Sequence, residues 1–435
     1  MNKIIDMNNI FSFSRLNTSS DDEEDNEDDK KSNIKFILFF VCVFFLIVIF
    51  LVCVISIAYY LIIKPDKMER NKPPDLYLRY KERHKIKDYI DNCMNGILMD
   101  NNKYPKLENP KISIIIPIYN KDKFILRLLR SIQNQSFKDI EIIFCDDHSN
   151  DNTTVLIEQF QKEDERIVLL KHEINKGTLR NRIDGANIAK GEYILYVDSD
   201  DLLIEDILEK VYSIANKTHI DIIHFQAYSG DYCNSFYLIT TDRDTEPIYQ
   251  PKLSDLMYYE KGYLHQTEFI IWGKLIKKSV FKEVINSISE YYLNQHMSLH
   301  EDGLLLFLLL RKAKSYIFIK DFGTLYFSNI NSTMMNVKKK ERINKTVRDC
   351  FLYLEFMFEY TNVTLHEKNM AVAQFKGLYK GFKDIYVKIT TGFDYIYKVI
   401  DLYLNCSIII NEDKKEMIQL KKDLKTREKN ITLSI

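Results

Sequence analysis

The chain has 435 residues, of which 46% are hydrophobic and 28% are charged. A chain of this length and composition can bury the core of a catalytic domain together with additional segments, which excludes an intrinsically disordered protein. Its formal net charge is −1, so we do not expect the dense basic face of a nucleic-acid-binding protein.

The chain begins with an acidic segment. Residues 1–34 hold nine Asp or Glu residues against four Lys or Arg residues, and most of the acids lie in the run 21–29. Such a run is typical of a solvated segment, and we interpret residues 1–34 as a disordered cytosolic tail. The remainder of the chain is mildly basic, which suits a small anionic ligand.

A long uncharged segment follows the tail. Residues 36–63 are rich in Phe, Ile, Leu and Val, contain no charged side chain, and are bounded by Lys35 and Lys64. A helix of this length exceeds a hydrocarbon core of roughly 30 Å, so residues 35–64 are predicted to be a single transmembrane anchor. The segment is too long and begins too late for a secretory signal peptide, and it lacks a small-residue cleavage site.

The charges around this segment leave its orientation open. Basic residues flank it on both sides, so the positive-inside rule does not decide. Eight Asn-x-Ser/Thr sequons follow it, and they favour a lumenal body in the Golgi or the endoplasmic reticulum. A cytosolic-facing body that acts on a lipid at the membrane is the alternative. The seven cysteines show neither metal-ligand spacing nor a disulfide framework.

The periodicity of the chain changes after residues 65–110, which we interpret as a stem. Short apolar runs begin at Ile112, Ile140, Ile167 and Tyr193, and segments with helical spacing lie between them. This alternation predicts an α/β fold with a Rossmann-like, mostly parallel central sheet and helices on both faces. No Gly-rich phosphate loop follows the first strand, which argues against a dinucleotide-binding fold or a P-loop.

An acidic cluster, Asp198-Ser199-Asp200-Asp201, directly follows the fourth apolar run. The carboxyl end of a parallel strand is where an open α/β sheet binds its ligand. Three carboxylates this close repel one another, so they predict a divalent cation that holds a diphosphate. The alternative is an Asp-rich turn that caps a helix. We assign that capping role to Asp201, at a helix beginning near Leu203.

Six segments, in this order, resemble the inverting nucleotide-sugar transferases of glycosyltransferase family 2, which have the GT-A fold. They are residues 113–120 (SIIIPIYN), 140–153 (IEIIFCDDHSNDNT), 175–181 (NKGTLRN), 191–201 (GEYILYVDSDD), 272–277 (WGKLIK) and 300–303 (HEDG). The resemblance covers residues 111–330, which we interpret as a GT-A glycosyltransferase domain. Residues 331–435 fall outside it and are predicted to be a helical C-terminal region.

The resemblance implies a crevice that binds the donor. Tyr119 would flank the nucleobase, and Asp147 would accept a hydrogen bond from its imide nitrogen. Arg180 and Asn181 would line the crevice floor, where a guanidinium pairs with a carboxylate or a phosphate. Asp198 would contact the ribose or a metal-bound water. Without the resemblance, Tyr119 would be interpreted as a core tyrosine and Asp147 as a turn or capping residue.

The resemblance also implies a metal and a base. Asp200, with Asp198 beside it, would bind Mn²⁺ or Mg²⁺, for which carboxylate oxygens are suitable ligands. Asp302 would take the proton of the acceptor hydroxyl, with Glu301 and then His300 as second choices. The alternative for Asp302 is a capping acid at the start of an apolar helix, and the two roles are compatible.

Four further residues complete these expectations. Trp272 and Lys274 are implied to shape the acceptor side, and a buried structural Trp is the alternative. Arg182 and Lys176 are expected to be solvated charges, with contact to the diphosphate as the alternative for either.

The sequence therefore predicts a metal-dependent hexosyl- or N-acetylhexosaminyl-transferase anchored in a membrane. Its donor would be a nucleotide-sugar, with UDP as the expected nucleotide. Its acceptor would be a hydroxyl on a glycan, a lipid or a protein, and no nucleic acid partner is expected. A non-catalytic membrane protein that keeps the fold and binds sugar nucleotides or glycans is the alternative.

Overall fold

The computed structural model describes the greater part of the chain after residue 104. The described residues are 88–89, 91–93, 95–96, 104–230, 236–238, 246–250, 270–327, 342–360, 371–372, 375–376, 393–405 and 411–434. The predicted tail (1–34), the predicted membrane span (35–64) and most of the predicted stem lie outside them. Within the described residues, no helix combines the length and the apolar character that a membrane crossing requires.

A single sheet runs through the domain. Its strands in the described residues are β1 (Ile112–Ile118), β2 (Ile140–Asp146), β3 (Ile167–Lys171), β4 (Tyr193–Tyr196), β5 (Leu202–Leu203), β6 (Ile222–Gly230), β7 (Phe236–Leu238), β8 (Ile248–Tyr249), β9 (Lys274–Lys277) and β10 (Ser315–Phe327). Their order across the sheet is β3-β2-β1-β4-β9-β6-β10-β5, while β7 pairs with β6 and β8 pairs with β10.

The first half of the sheet is parallel and the second half is mixed. β1 to β4 are parallel neighbours that begin at the four predicted positions, which confirms that prediction. β9, however, lies between β4 and β6 and is antiparallel to both. The prediction of a mostly parallel sheet therefore holds for β1 to β4 and for β6 and β10, which pair in parallel and run in the same direction as β4. It is wrong for β9 and for the short strands β5, β7 and β8, because the apolar pattern of a buried strand does not encode its direction. The mixed α/β sheet is consistent with a GT-A fold.

Helices cover both faces of the sheet. Those that the structure describes are α1 (Ile125–Gln133), α2 (Thr153–Phe160), α3 (Thr178–Ile188), α4 (Ile207–Thr218), α5 (Lys278–Ser287), α6 (Glu290–Leu293), α7 (Glu301–Lys312), α8 (Ile343–Tyr360), α9 (Phe393–Asn405) and α10 (Asn411–Ser434).

The two faces of the sheet belong to two cores, because successive strand side chains point in opposite directions. Ile114 and Ile116 of β1 pack with α1, α2 and α4. Ile115, between them, belongs to the other core, with α3, α5 and α7. Burial on both faces explains why β1 is a continuous apolar run rather than an alternating one.

Helices of the C-terminal region extend the second core. α8 packs against α7 and α9, and α9 packs against α10. Because Glu301 and Asp302 lie in the first turn of α7, α8 lies next to the helix that carries both acids.

Part of the predicted stem packs on the domain. Tyr89 and Cys93 are buried with Phe327 and its neighbours. The Tyr89 hydroxyl lies 2.9 Å from the carbonyl oxygen of Ser131 and 3.0 Å from that of Leu203. These residues therefore support β5 and the end of β10 rather than acting as a free spacer.

Candidate active site

The segments predicted to form a crevice meet at one edge of the sheet. Ile118 of β1 lies beside Asp146 of β2, and Ile115 of β1 lies beside Tyr196 of β4. Because the three strands are parallel and in this register, the segments that follow them leave the sheet at the same edge. The segment before β9 reaches this edge too, since β9 runs antiparallel to β4.

A buried arginine joins the acidic cluster after β4 to the acid pair of α7. The Arg182 side chain is 3% exposed, and its Nη2 lies 2.9 Å from Oδ1 of Asp198. Its Nη1 lies 3.1 Å from Oε1 of Glu301 and contacts Oδ1 of Asp302. A planar guanidinium can orient several carboxylates in this way. The two acidic motifs therefore surround one cation.

The expectation that Arg182 is a solvated charge is wrong. Arg182 stands three residues after Leu179 and four before Ala186, and all three are buried on one face of α3. The Arg182 guanidinium also lies over the ring of Tyr196, at 5.9 Å from its centroid. The helical spacing of α3 was the signal that could have identified it. Lys176 is 37% exposed, with its Nζ 3.4 Å from Oδ2 of Asp184.

Asp200 and Asp201 have different surroundings. Oδ2 of Asp200 accepts a hydrogen bond from Lys121 Nζ at 2.7 Å, and the Asp200 side chain is 14% exposed. Asp201 is fully buried, and its Oδ1 accepts a hydrogen bond from the backbone N–H of Phe327 at 3.0 Å. Burial, together with repulsion from Asp200 and Asp198, raises the pKa of Asp201 well above its usual value.

Asp201 does not cap a helix. β5 follows it directly, and the next helix, α4, begins at Ile207 with Asp206 at its N-cap. The predicted capping role is therefore wrong, because a two-residue strand lies between the acidic cluster and α4. Asp201 instead links the acidic cluster to the end of β10 through its hydrogen bond with Phe327.

The carboxylate of Asp147 holds the loop that precedes α3. Its Oδ1 accepts a hydrogen bond from Lys176 N at 2.7 Å, and its Oδ2 accepts one from Gly177 N at 2.9 Å. Gly177 has φ +87, and a Cβ there would lie 2.7 Å from the backbone carbon of His296. Asp147 thus lies at the crevice and shapes its wall, and its role in reading the base stays a prediction.

His172, which the sequence analysis did not identify, links Asp147 to α3. Its Nδ1 lies 3.1 Å from Oδ1 of Asp147, and its Nε2 lies 3.1 Å from Oδ2 of Asp184. Arg180 Nε lies 2.9 Å from the other oxygen of Asp184, and the Arg180 side chain is 28% exposed. Asn181 is buried and donates from Nδ2 to the carbonyl oxygen of Cys145 at 2.8 Å. Arg180 is thus accessible, whereas Asn181 ties α3 to β2.

Tyr119 lies at the open side of the same edge. It is 46% exposed, which contradicts the alternative of a core tyrosine. The next residue, Asn120, has φ +54 and is held in place by Ser149 and Asn150. Asn120 N donates to Ser149 Oγ at 2.9 Å, and Asn150 N donates to Asn120 Oδ1 at 2.8 Å. Hydrogen bonds therefore hold the turn that follows Tyr119, and the Tyr119 side chain is accessible from solvent.

Trp272 and Lys274 lie near this edge but are buried. Trp272 is 6% exposed and stacks on Tyr326, with ring centroids 5.9 Å apart. Lys274 is 1% exposed, and its Nζ donates to the carbonyl oxygen of Ile270 at 2.7 Å. Their burial favours a packing role, and contact with an acceptor stays a prediction.

The three candidates for the base differ in environment. Burial raises the pKa of Glu301, although Arg182 acts in the opposite direction. Burial lowers the pKa of His300 to about 4, so His300 is a neutral and weak base near pH 7. The Asp302 side chain is 20% exposed against 8% for Glu301. Asp302 is therefore the acid of the pair that a substrate reaches more easily.

Known proteins are similar to this chain in sequence. The family model described as Glycosyl transferase family 2 matches residues 113–285. Glycosyltransferase GlyG of Streptococcus pneumoniae is 31% identical over 227 residues, which are 51% of this chain and 72% of GlyG. The chain belongs to glycosyltransferase family 2. Its family membership supports an enzyme that transfers sugars.

Other relatives share shorter parts of this family 2 chain. The Campylobacter jejuni GalNAc(5)-diNAcBac-PP-undecaprenol beta-1,3-glucosyltransferase is 36% identical over 114 residues, which are 26% of this chain and only 37% of that protein. The crystal structure of S. aureus TarS 1–349 in complex with UDP-GlcNAc matches this chain with a TM-score of 0.43 at 17% identity. The match covers 67% of this chain and 89% of that chain.

The acidic side chains of this family 2 site fit a divalent cation. Asp198 and Asp200, together with the acid pair of α7, supply four carboxylates, while Arg182 and Lys121 supply two cations. When all six groups are ionised, the four carboxylates exceed the two cations by two negative charges. Within the described residues, no group of three or more His, Cys, Asp or Glu could hold a metal. Two carboxylates nevertheless suffice where substrate phosphates complete the coordination of Mg²⁺.

Proposed function

We propose that this chain is an inverting glycosyltransferase. It would move a hexosyl or N-acetylhexosaminyl residue from a UDP-sugar to a hydroxyl group on a glycan, a lipid or a protein. The observation that supports this proposal most is the contact of Arg182 with Asp198 on one side and with Glu301 and Asp302 on the other. A donor-side acid and a candidate base thereby face one crevice.

In the proposed reaction, Asp302 accepts the proton of the acceptor hydroxyl as its oxygen attacks the anomeric carbon of the sugar. The bond between that carbon and the diphosphate oxygen breaks, and its electron pair leaves with the nucleoside diphosphate. Attack from the side opposite the leaving group inverts the configuration. Arg182 directs the carboxylate of Asp302, which lies in the first turn of α7.

The donor is proposed to occupy the edge between Tyr119 and Asp198. The exposed ring of Tyr119 offers a face on which a nucleobase stacks, and Asp147 shapes the adjacent wall. Asp200 and Asp198 are the residues that would hold Mn²⁺ or Mg²⁺. When bound, the metal would supply a Lewis acid that stabilises negative charge on the leaving diphosphate.

The first test is calorimetric titration of the chain with UDP, GDP and their sugar conjugates, with and without Mn²⁺. We expect one nucleotide to bind in a metal-dependent manner.

Asp200→Asn should weaken metal-dependent binding at least about tenfold, because a neutral amide is a poorer ligand for a hard cation. Glu209→Gln, on the first turn of α4, is a control that should bind as the wild type does. Unchanged binding by Asp200→Asn would contradict the metal assignment, and binding without transfer would favour the non-catalytic alternative.

We also propose a single-pass anchor at residues 35–64 and a lumenal catalytic body. The supporting observations are the uncharged run and the sequons after it. One of these, Asn216, is exposed on α4. In cells that glycosylate secretory proteins, we expect a glycan at Asn216. The Asn216→Gln variant should lose it, and Lys217→Gln, which keeps the sequon, should retain it. An active protein without a glycan at any of the eight sequons would contradict the lumenal orientation.

A further inference from the structure

The helical C-terminal region brings a basic side chain to the wall of the crevice. Lys345 lies in the first turn of α8, and its Nζ donates to Ser298 Oγ at 3.0 Å. The same Nζ lies 3.3 Å from Nδ1 of His296. One turn further along, Arg348 Nη2 donates to the carbonyl oxygen of His296 at 3.0 Å. The segment before α7 is thus held by two cations of α8.

This segment separates the two halves of the site. On one side, His296 Nε2 lies 2.6 Å from Oδ1 of Asn175, and the His296 backbone abuts Gly177, whose N–H donates to Asp147. On the other side, the segment continues into Glu301 and the start of α7. Lys345 therefore contacts the segment that joins the loop beside Asp147 to the acid pair.

Lys345 makes no direct ion pair within the described residues, although the more distant carboxylates of Asp349 and Asp147 oppose the effect of burial on its pKa. Within the residues that the structure describes, its two hydrogen-bond neighbours are the neutral Ser298 hydroxyl and a His296 ring whose pKa burial lowers. Arg348, by contrast, is bound to Asp349, with Nη2 2.8 Å from Oδ1. Burial lowers the pKa of Lys345 as well. A half-buried ammonium whose direct contacts are neutral groups costs free energy, and functional sites are where such groups concentrate.

We propose that Lys345 is a phosphate-binding residue, supplied to the crevice by the C-terminal helical region. The inference rests on the proposed function, in which a diphosphate leaves from this crevice. The phosphate belongs either to the donor diphosphate or to the acceptor, and the chemistry is the same in both cases. An ammonium beside neutral donors forms charge-assisted hydrogen bonds to phosphate oxygens.

A purely structural role for Lys345 makes a different prediction. If its function were only to hold Ser298, a side chain with a neutral donor of similar reach would replace it. Lys345→Gln keeps such a donor and removes the charge, whereas Lys345→Arg keeps the charge. Lys422→Gln, at an exposed position of α10, removes a charge far from this contact and is the matched control.

The experiment titrates the full-length chain, purified in detergent, with UDP, inorganic pyrophosphate and uridine. We expect Lys345→Gln to weaken the binding of UDP and pyrophosphate at least about tenfold. Uridine binding and the melting temperature should not change. Lys345→Arg should recover most of the loss, and Lys422→Gln should match the wild type. If UDP binding by Lys345→Gln is unchanged, the acceptor is tested as the source of the phosphate. The KM of the variant and of the wild type is then measured for a phosphorylated glycoside and for its unphosphorylated form, and only the KM for the phosphorylated form should rise in the variant.

The outcomes separate this inference from the proposed function. If Lys345→Gln binds UDP and pyrophosphate as the wild type does, and transfers sugar to both acceptors as the wild type does, the inference alone is overturned. Binding of pyrophosphate that depends on Lys345, without binding of any nucleotide, would support the inference and overturn the proposed function. A folded wild type that binds neither nucleotide nor pyrophosphate would overturn both.

Discussion

Replacing Asp302 by Asn is expected to lower kcat by about 10² to 10⁴-fold, the range that a general base contributes, while nucleotide binding stays within about twofold. The reason is that Asn has nearly the shape of Asp but cannot accept the proton of the acceptor hydroxyl. Asp302 lies on the acid-pair side of Arg182, opposite Asp198. Its loss should therefore affect the chemical step rather than the donor. Initial rates at saturating donor, with calorimetry of the same preparation, measure both quantities.

Glu301→Gln is the matched comparison for this prediction. Glu301 is the neighbouring acid, is more deeply buried, and has a pKa raised by burial. We expect it to lower kcat less than Asp302→Asn does, because it acts on Arg182 and not on the substrate. Normal transfer by Asp302→Asn would contradict the assignment of the base. A larger loss in Glu301→Gln would move that assignment to Glu301.

Replacing Arg182 by Met is expected to lower the free energy of unfolding by about 3–5 kcal/mol, as the loss of one partner of a buried ion pair does, and to abolish transfer. The variant leaves the buried carboxylate of Glu301 and the partly exposed carboxylates of Asp198 and Asp302 without their shared cation. Chemical denaturation measures the stability, and transfer is assayed at a temperature where the variant is folded. Arg182→Lys should retain more stability but little activity. The lysine ammonium is a single compact charge, whereas the planar guanidinium of arginine can contact three carboxylates at once.

The control for Arg182 lies two residues earlier on the same helix. Arg180 is 28% exposed and pairs with Asp184, so Arg180→Met should cost about 0–1 kcal/mol of stability. The double variant Arg182→Met with Glu301→Gln should recover part of the loss, since it removes one of the unmatched charges. Additive losses in the double variant would show that Arg182 does not act through Glu301.

Several elements could be predicted from the sequence because their signals are local. β1 and β4 begin at Ile112 and Tyr193, where an apolar run starts, and a buried run of this length is typical of a strand covered on both faces. The crevice followed from the same reasoning, because parallel strands place their carboxyl ends at one edge. The direction of β9 could not be predicted in this way. Its segment, Lys274–Lys277, has the apolar residues of a strand but no local feature that distinguishes a parallel from an antiparallel neighbour.

The charged residues show where such reasoning stops. Arg182 was assigned to the solvent although its spacing from Leu179 places it on the buried face of α3. Charge alone favours exposure, and only the presence of several carboxylates reverses that preference. Asp201 was expected to cap a helix, but a short strand follows it, and its carboxylate is buried against the backbone of Phe327. A turn rich in Asp is compatible with either outcome.

The sequence by itself determined the α/β alternation, the positions of β1 to β4 and the family, because these depend on local periodicity and on motifs in a recognisable order. Only the tertiary structure decided which charges meet. Arg182 and Glu301 are 119 positions apart, and they are brought together by the packing of α3 against α7. Likewise, Lys345 reaches the segment before α7 only because α8 packs on that helix. The strength of each of these contacts depends on burial and on distance, neither of which is encoded in the local pattern of the chain.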